Sequence, residues 1–290
     1  MIDLPKSLPR VDRRDRARLH VDGPDRAKFL HNLTTNDVKR LAEGRGVEAF
    51  VTSPQGKTLA WVTVHALPGR LLVRADPGGL DLALPHLRKY GMFDDVQLED
   101  VSARTFEHHL IGVDIDMPDL AIVESTLGGR PVLLVRESPL GGPGLTLVGD
   151  LTDEPAILGA IDAPAMAHEA AEARRIRAGT PRFGVDFGPD NLPQEVARDA
   201  RAISFTKGCY LGQETVARLD ALGHVNKLLR RLRLDDGPTP APGTPLDAEG
   251  KPAGVLTSAA DGWALAMVRA KVAEGGGSLG FGGRAATLQR

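Results

Sequence analysis

The chain holds a single cysteine, Cys209, among 290 residues. One thiol excludes an intramolecular disulfide. It also excludes a zinc or iron–sulfur site built from the thiolates of one chain, because such sites need several. Aromatic residues are scarce, with two Trp and two Tyr. Long hydrophobic runs are absent, and Met1–Ser7 has no apolar h-region ahead of the charged stretch Arg10–Arg18. A cytoplasmic protein without membrane contact is expected. Charge of one sign is lacking too: 36 Lys+Arg stand against 38 Asp+Glu, a net of −2. That balance argues against a nucleic-acid coat or polybasic membrane binder, and no direct nucleic-acid binding is expected. The glycine-rich Gly141–Gly144 lacks both the P-loop continuation and the G-x-G-x-x-G spacing, so it reads as a hairpin turn. His108 and His109 are adjacent and point to opposite faces of a strand, which suits no shared metal. No metal is expected.

What is present centres on Lys207-Gly208-Cys209-Tyr210-Leu211-Gly212-Gln213-Glu214. Two glycines in five residues permit a sharp bend and a close approach to a ligand or second strand. The run from Gln213 reads as the start of a helix, with Glu214 in its first turn where the dipole favours a negative charge. A thiol gains reactivity beside a cation or a helix N-terminus. Lys207 and the following helix could supply both. Alternatively, Cys209 is a small buried hydrophobe, the common fate of a free cysteine.

Along the chain, Ala17–Val21 alternates as a strand, and Asp25 is a plausible N-cap for a helix burying Phe29, Leu30 and Leu33. The Leu33–Val38 cluster reads either as a polar turn or as a pocket wall. Val47–Thr52 and Lys57–His65 form a hairpin around Ser53–Gly56, and Leu71–Arg74 is a further strand. Asp76-Pro77 predicts an N-cap and first helical position for a helix to about Tyr90. Asp95–Ser102, Leu110–Val113, Pro131–Arg136 and Leu145–Val148 read as strands. Residues 152–178 read as helical with a break at Pro164. The irregular segment 179–195, carrying Phe183, Val185, Phe187 and Leu192, predicts an ordered loop lining a site or bridging domains. Arg230, Arg231 and Arg233 read as a solvated strand edge, with an anion site as the alternative. The short strands beyond the proline-rich 235–243 predict a small β-barrel. Three units follow: 1–105, an α+β unit with an antiparallel sheet; 106–226, a second α+β unit with the long loop and the octapeptide; and 227–290, barrel-like.

The octapeptide closely resembles the signature of the YgfZ family of folate-binding proteins, related to iron–sulfur assembly factors and to the aminomethyltransferase (T-protein) of the glycine cleavage system. Gly23–Val38, Pro54–Lys57, Leu87–Tyr90 with Asp95-Val96, and Arg175–Pro181 with Pro193–Glu195 extend the likeness over most of the chain. The resemblance implies an α+β, three-part clover-like aminomethyltransferase-type fold with a small C-terminal β-barrel and a central channel for tetrahydrofolate or a related folate. It implies Glu195 and Asn36 as cofactor-binding residues, Cys209 as the functional thiol with Lys207 lowering its pKa, and Gly208, Tyr210, Gly212, Gln213 and Glu214 as the signature loop lining the channel. Trp61 and Tyr210 are candidates by type to stack on the pterin. Implied partners are iron–sulfur client enzymes or assembly factors, with an indirect effect on tRNA modification. The T-protein's Asp-Asp pair is replaced here by Ala60-Trp61, which counts against aminomethyl transfer. A tetrahydrofolate-dependent transferase or demethylase and a folate-independent scaffold remain as alternatives.

Overall fold

The computed structural model describes residues 7–223 and 225–289. Met1–Lys6, where no h-region is read, lie outside them. The chain begins with β1 (Arg10–Asp12) and β2 (Ala17–Asp22), then α1 (Arg26–Leu33), β3 (Gly46–Thr52), β4 (Thr58–Leu67), β5 (Arg70–Ala75), α2 (Gly79–Tyr90) and β6 (Gln97–Asp100). It continues through β7 (Thr105–Ile111), β8 (Ile122–Leu127), β9 (Arg130–Arg136), β10 (Gly144–Asp150), α3 (Glu154–Gly159) and α4 (His168–Ala178). After a 3₁₀ turn at Pro193–Val196 come α5 (Asp199–Ala202) and α6 (Gln213–Leu222). The last part comprises β11 (Lys227–Leu234), β12 (Pro245–Ala248), β13 (Lys251–Ala260), β14 (Trp263–Arg269), α7 (Ala270–Gly275), β15 (Ser278–Phe281) and β16 (Arg284–Gln289).

Three sheets result. The first has the order β3-β4-β5-β2-β6, the second β1-β7-β10-β9-β8, and the third closes into the barrel β11-β14-β13-β12-β15-β16. The N-terminal β1 joins the second sheet, pairing with β7, before the chain enters the first. Closure leaves β11 without a free edge, so the arginine run expected on a solvated edge lies inside a barrel wall. Arg231 and Arg233 there stack on Trp263, each about 5.2 Å from its ring. No helix among the described residues is long and apolar enough to cross a membrane.

Strand alternation gives the first sheet two different faces. Leu19, Val21, Ala49, Val51, Ala60, Val62, Val64, Val73 and Ala75 share one core with Phe29, Leu30, Leu80 and Leu87 of α1 and α2. The intervening Arg18, Glu48, Trp61, Thr63, His65 and Arg74 face the other way and are nonetheless buried. The second sheet covers part of them. Arg74 is bidentate to both Glu107 (2.8 and 3.0 Å) and Glu137 (2.7 and 3.2 Å) across the seam. The arginines hold both carboxyls well below the usual range, against a large opposing effect of burial.

Two expected caps differ. Asp25 precedes α1, but its carboxylate accepts the Asp95 N–H (3.0 Å) and caps nothing in the helix. Asp76 does not start α2, which opens at Gly79 after Gly78 in the left-handed region. Asp76 is buried instead, 3.6 Å from Arg16 and accepting the Phe183 N–H at 3.0 Å. The helical stretch 152–178 is interrupted over eight residues, 160–167, rather than at Pro164 alone.

The 179–195 segment is the joint of the molecule. Phe183 and Phe187 pack edge-on (5.5 Å), and Phe187 meets Phe50 (6.3 Å) and Trp61 (6.4 Å) of the first sheet. The same cluster takes Leu229, Leu265 and Met267 from the barrel. Asp186, between the two rings, accepts from Arg175 of α4 (2.7 Å) and from Ser258 (2.6 Å) and Thr257 (2.7 Å) of the barrel. Both readings of this loop therefore hold, since Thr180–Arg182 also line the central cavity.

Candidate functional site

The signature octapeptide forms a loop pressed onto the end of α1 and the β3–β4 turn. Lys207 is buried, and its ammonium donates to the carbonyls of His31, Thr34 (2.6 Å) and Asn36 (2.9 Å). These include orphan carbonyls at the C-terminus of α1, where a cation is favoured. The Tyr210 ring lies 4.8 Å from the same ammonium. Burial pushes the Lys207 pKa down to about 7, and Asp37 opposes this. In return, His31 Nε2 donates to the Lys207 carbonyl at 3.1 Å while its Nδ1 accepts the Lys39 N–H at 3.3 Å. Nδ1 also lies 3.2 Å from Asp37 Oδ1; burial and Lys207 lower the His31 pKa, and Asp37 opposes them.

The remaining positions each have a part in the turn. Leu211 donates to the Asn32 carbonyl (2.9 Å) and accepts the Thr52 hydroxyl (2.6 Å). Gly212 has φ 85°, and a Cβ there would sit 2.4 Å from the Ser53 carbonyl oxygen and 3.1 Å from Gly56 Cα. Gly212 is the N-cap of α6. Gln213 opens that helix and its side-chain oxygen accepts the Tyr210 N–H (3.3 Å). Glu214 sits exposed in the first turn, as the helix reading requires. Tyr210 is buried in the cluster around Phe187, and burial raises its pKa. Gly208, at φ 99°, and Cys209 are exposed. The thiol is thus presented to solvent on a clamped loop, and the buried-hydrophobe alternative for Cys209 is excluded.

A central cavity of about 540 Å³ lies where the parts meet, lined from β4 by Trp61 and Thr63, from α4 by Arg175, from α5 and its N-cap by Arg201 and Arg198, and from the barrel by Arg231. Glu48 anchors its floor, accepting from Arg198 (2.5 and 3.1 Å) and Arg201 (2.5 Å). Arg198 stacks 5.3 Å from the Trp61 ring. Trp61 Nε1, Thr63 Oγ1 and Arg16 Nε in this wall hydrogen-bond to no atom among the described residues.

The sequence-predicted residues divide between two places. Trp61 lines the cavity, whereas neither Glu195, Asn36 nor any of Lys207–Glu214 is among its lining residues. Glu195 is buried in the 3₁₀ turn, where Oε2 accepts from Asn191 Nδ2 (2.9 Å) and the Leu192 N–H (3.2 Å), with Lys227 at 3.7 Å. Asn36 Nδ2 joins β3 to α5 by donating to the Glu48 and Arg201 carbonyls, both at 2.8 Å. The residues that sequence reasoning missed are the cavity arginines at α4 and α5, whereas Arg231 of β11 belongs to the run read as a strand edge or an anion site. The sole signal for those at α4 and α5 was the density of arginine in 175–201.

Residues 227–290 match the CAF17 C-terminal beta-barrel domain family. The chain is 27% identical over 250 residues to a mitochondrial iron-sulfur cluster assembly factor IBA57 homolog of Mycosarcoma maydis, covering 81% of this chain and 59% of the relative. It is 25% identical over 220 residues to the tRNA-modifying protein YgfZ of Colwellia psychrerythraea, covering 73% and 67%. The chain spans 61% and 59% of the length of the Arabidopsis thaliana and Mycosarcoma maydis relatives it matches. The glycine cleavage system aminomethyltransferase T of Bartonella henselae superposes with a TM-score of 0.84, over 98% of this chain and 86% of that one, at 17% identity, and so shares the fold. The chain is thus similar to YgfZ and IBA57 proteins and shares the fold of the glycine cleavage aminomethyltransferase T.

Proposed function

We propose that this chain is a folate-binding accessory factor for assembly or repair of iron–sulfur clusters in client enzymes, with Cys209 as its working thiol and an indirect effect on tRNA modification. The observation that carries the reading is the exposed Cys209 on a loop clamped by Lys207, Gly212 and Gln213. Relatives named for iron–sulfur cluster assembly and for tRNA modification support it. An exposed thiol leaves room for a cluster or protein bound by another chain, which a lone cysteine would need.

The folate part rests on the central cavity. Its volume falls within the roughly 300–1,000 Å³ of small-molecule sites. Arg175, Arg198 and Arg231 suit the carboxylates of a folate's glutamate end. Orphaned donors in the wall are the usual mark of a missing partner. A bound folate would supply its reduced ring as a one-carbon or electron carrier. The chain's own residues would hold its carboxylates and keep water from its ring. Glu195 and Asn36 would act one layer out, by fixing the 3₁₀ turn and α5. At the hairpin position of the T-protein's Asp-Asp pair, Ala60 and Trp61 offer no carboxylate, which favours an accessory role over aminomethyl transfer.

Calorimetric titration with tetrahydrofolate tests the folate claim. Wild type binds, Arg231→Glu binds at least tenfold more weakly, and Cys209→Ser binds as wild type does. No binding by wild type would remove folate and leave a scaffold role.

A further inference from the structure

The ion cluster around Arg74 holds more positive charge than negative. Ion pairs within 4.0 Å join Arg13, Arg16, Arg18 and Arg74 to Asp76, Glu107 and Glu137. Among the described residues no other carboxylate comes that close to any of these arginines, so four cations stand against three carboxylates. His65 and His109, lowered by burial to about 3 and about 4, add no charge at neutral pH. The surplus falls on Arg13. Its nearest carboxylate oxygens are Glu137 Oε1 at 3.8 Å and Glu107 Oε1 at 4.0 Å. Both already accept from Arg74 (2.7 and 2.8 Å), and also from Thr146 (2.5 Å) and Arg16 (3.2 Å) respectively. Arg13 Nη1 is buried without a hydrogen-bond partner, and burial together with Arg16 lowers the Arg13 pKa. A buried cation in this state is costly unless something else pairs with it.

The same place gathers unmet donors. Arg16 Nε, Trp61 Nε1 and Thr63 Oγ1 are buried and unpartnered among the described residues, and with Arg13 these residues line the central cavity. The sheet register brings them together. Thr63 of β4, Arg74 of β5 and Arg18 of β2 share one rung. Two positions along, past the Val62–Ala75 and Ala17–Ala75 pairs, Trp61 and Arg16 flank Asp76 on the same face. Asp76 satisfies neither of them. Its Oδ2 accepts the Phe183 N–H (3.0 Å), and its Oδ1 stays 3.6 Å from Arg16 Nε. Asp12 and Asp15, also in the cavity lining, are paired with Arg14 and Arg182. We propose that this wall of the cavity binds a carboxylate of a small-molecule ligand, seated against Arg13, Arg16, Trp61 and Thr63 rather than Arg175, Arg198 and Arg231. A single negative charge balances the cluster, and the carboxylate oxygens have lone pairs for the unmet donors. A neutral or cationic group would leave the surplus in place. The source is either a free carboxylic acid or a carboxylate of the folate. The proposal stands without folate and without Cys209, because its first arm uses neither.

The first arm is thermal unfolding of the full chain in sodium acetate and in sodium chloride at equal ionic strength. The midpoint gain of acetate over chloride is expected to be larger in wild type than in Arg13→Met, which controls for general salt effects. Arg13→Met removes the surplus cation, so its midpoint in chloride is expected to equal or exceed that of wild type. An arginine with a merely structural role would lower it. The second arm is calorimetric titration with tetrahydrofolate and with a tetrahydropterin that lacks the p-aminobenzoylglutamate part. If the carboxylate is the folate's own, Arg13→Met weakens tetrahydrofolate about tenfold or more and leaves the tetrahydropterin unchanged. If it belongs to a separate acid, both titrations are unchanged and only the acetate gain is lost. An equal acetate gain in the two proteins would overturn the proposal. So would a lower midpoint of Arg13→Met in chloride.

Discussion

Replacing Lys207 by Met keeps the length of the side chain and removes its ammonium. Three carbonyls, of His31, Thr34 and Asn36, then lose their donor in a buried place. Each unsatisfied acceptor costs about 1–3 kcal/mol, while release from burying a cation offsets part of this. A net loss of about 2–4 kcal/mol is expected in urea unfolding at pH 7. The pH dependence separates this cause from lost packing. Burial holds the folded-state pKa at about 7, against 10.5 for a free lysine. Between these values the unfolded chain keeps a proton that the folded chain has given up, so wild-type stability rises from pH 7 to pH 9. The slope is at most about 1.4 kcal/mol per pH unit from this group. In Lys207→Met that rise is lost. The loop also loosens, so alkylation of Cys209 by iodoacetamide changes in rate although the thiol was exposed throughout. Parallel pH curves for the two proteins, with unchanged stability and alkylation, would refute the clamp.

Gly212→Ala forces a Cβ against the Ser53 carbonyl from a left-handed backbone, and should lose about 2–3 kcal/mol or more by the same unfolding measurement. Arg74→Met leaves Glu107 and Glu137 buried without their main partner, and a loss of about 3–5 kcal/mol is expected. Burial lowers His65 to about 3 and His109 to about 4, from 6.5. The unfolded chain therefore takes up protons first on acidification, and stability falls as pH drops from 6.5 toward 4, seen as a falling urea midpoint. Cys209→Ser, at an exposed position, should stay within about 0.5 kcal/mol of wild type.

The local geometry of the octapeptide was legible because glycine spacing and a helix start are short-range signals. Its clamp was not: Lys207 binds backbone carbonyls more than 170 residues away, which carry no side-chain signature. Asp25 and Asp76 had the residue type of helix caps, but Asp95 and Phe183, brought close by the tertiary structure, took their carboxylates. The charged residues at alternate strand positions, Arg18, Glu48 and Arg74, carry no local sign of their burial. Arg18 and Arg74 lie on the contact face between two sheets and Glu48 meets Arg198 and Arg201, all paired across long sequence distances. The barrel was visible in short strands and glycine turns. Its closure was not, because that depends on β11 meeting both β14 and β16.

The proposed role of Cys209 is tested most directly by complementation. A bacterial strain lacking its own YgfZ relative would receive wild type, Cys209→Ser or Lys207→Met, and iron–sulfur enzyme activity would be measured in the extracts. Wild type is expected to restore activity and Cys209→Ser to fail at equal protein level, with Lys207→Met between them. Full restoration by Cys209→Ser would contradict the account and leave the clamped loop without a chemical task.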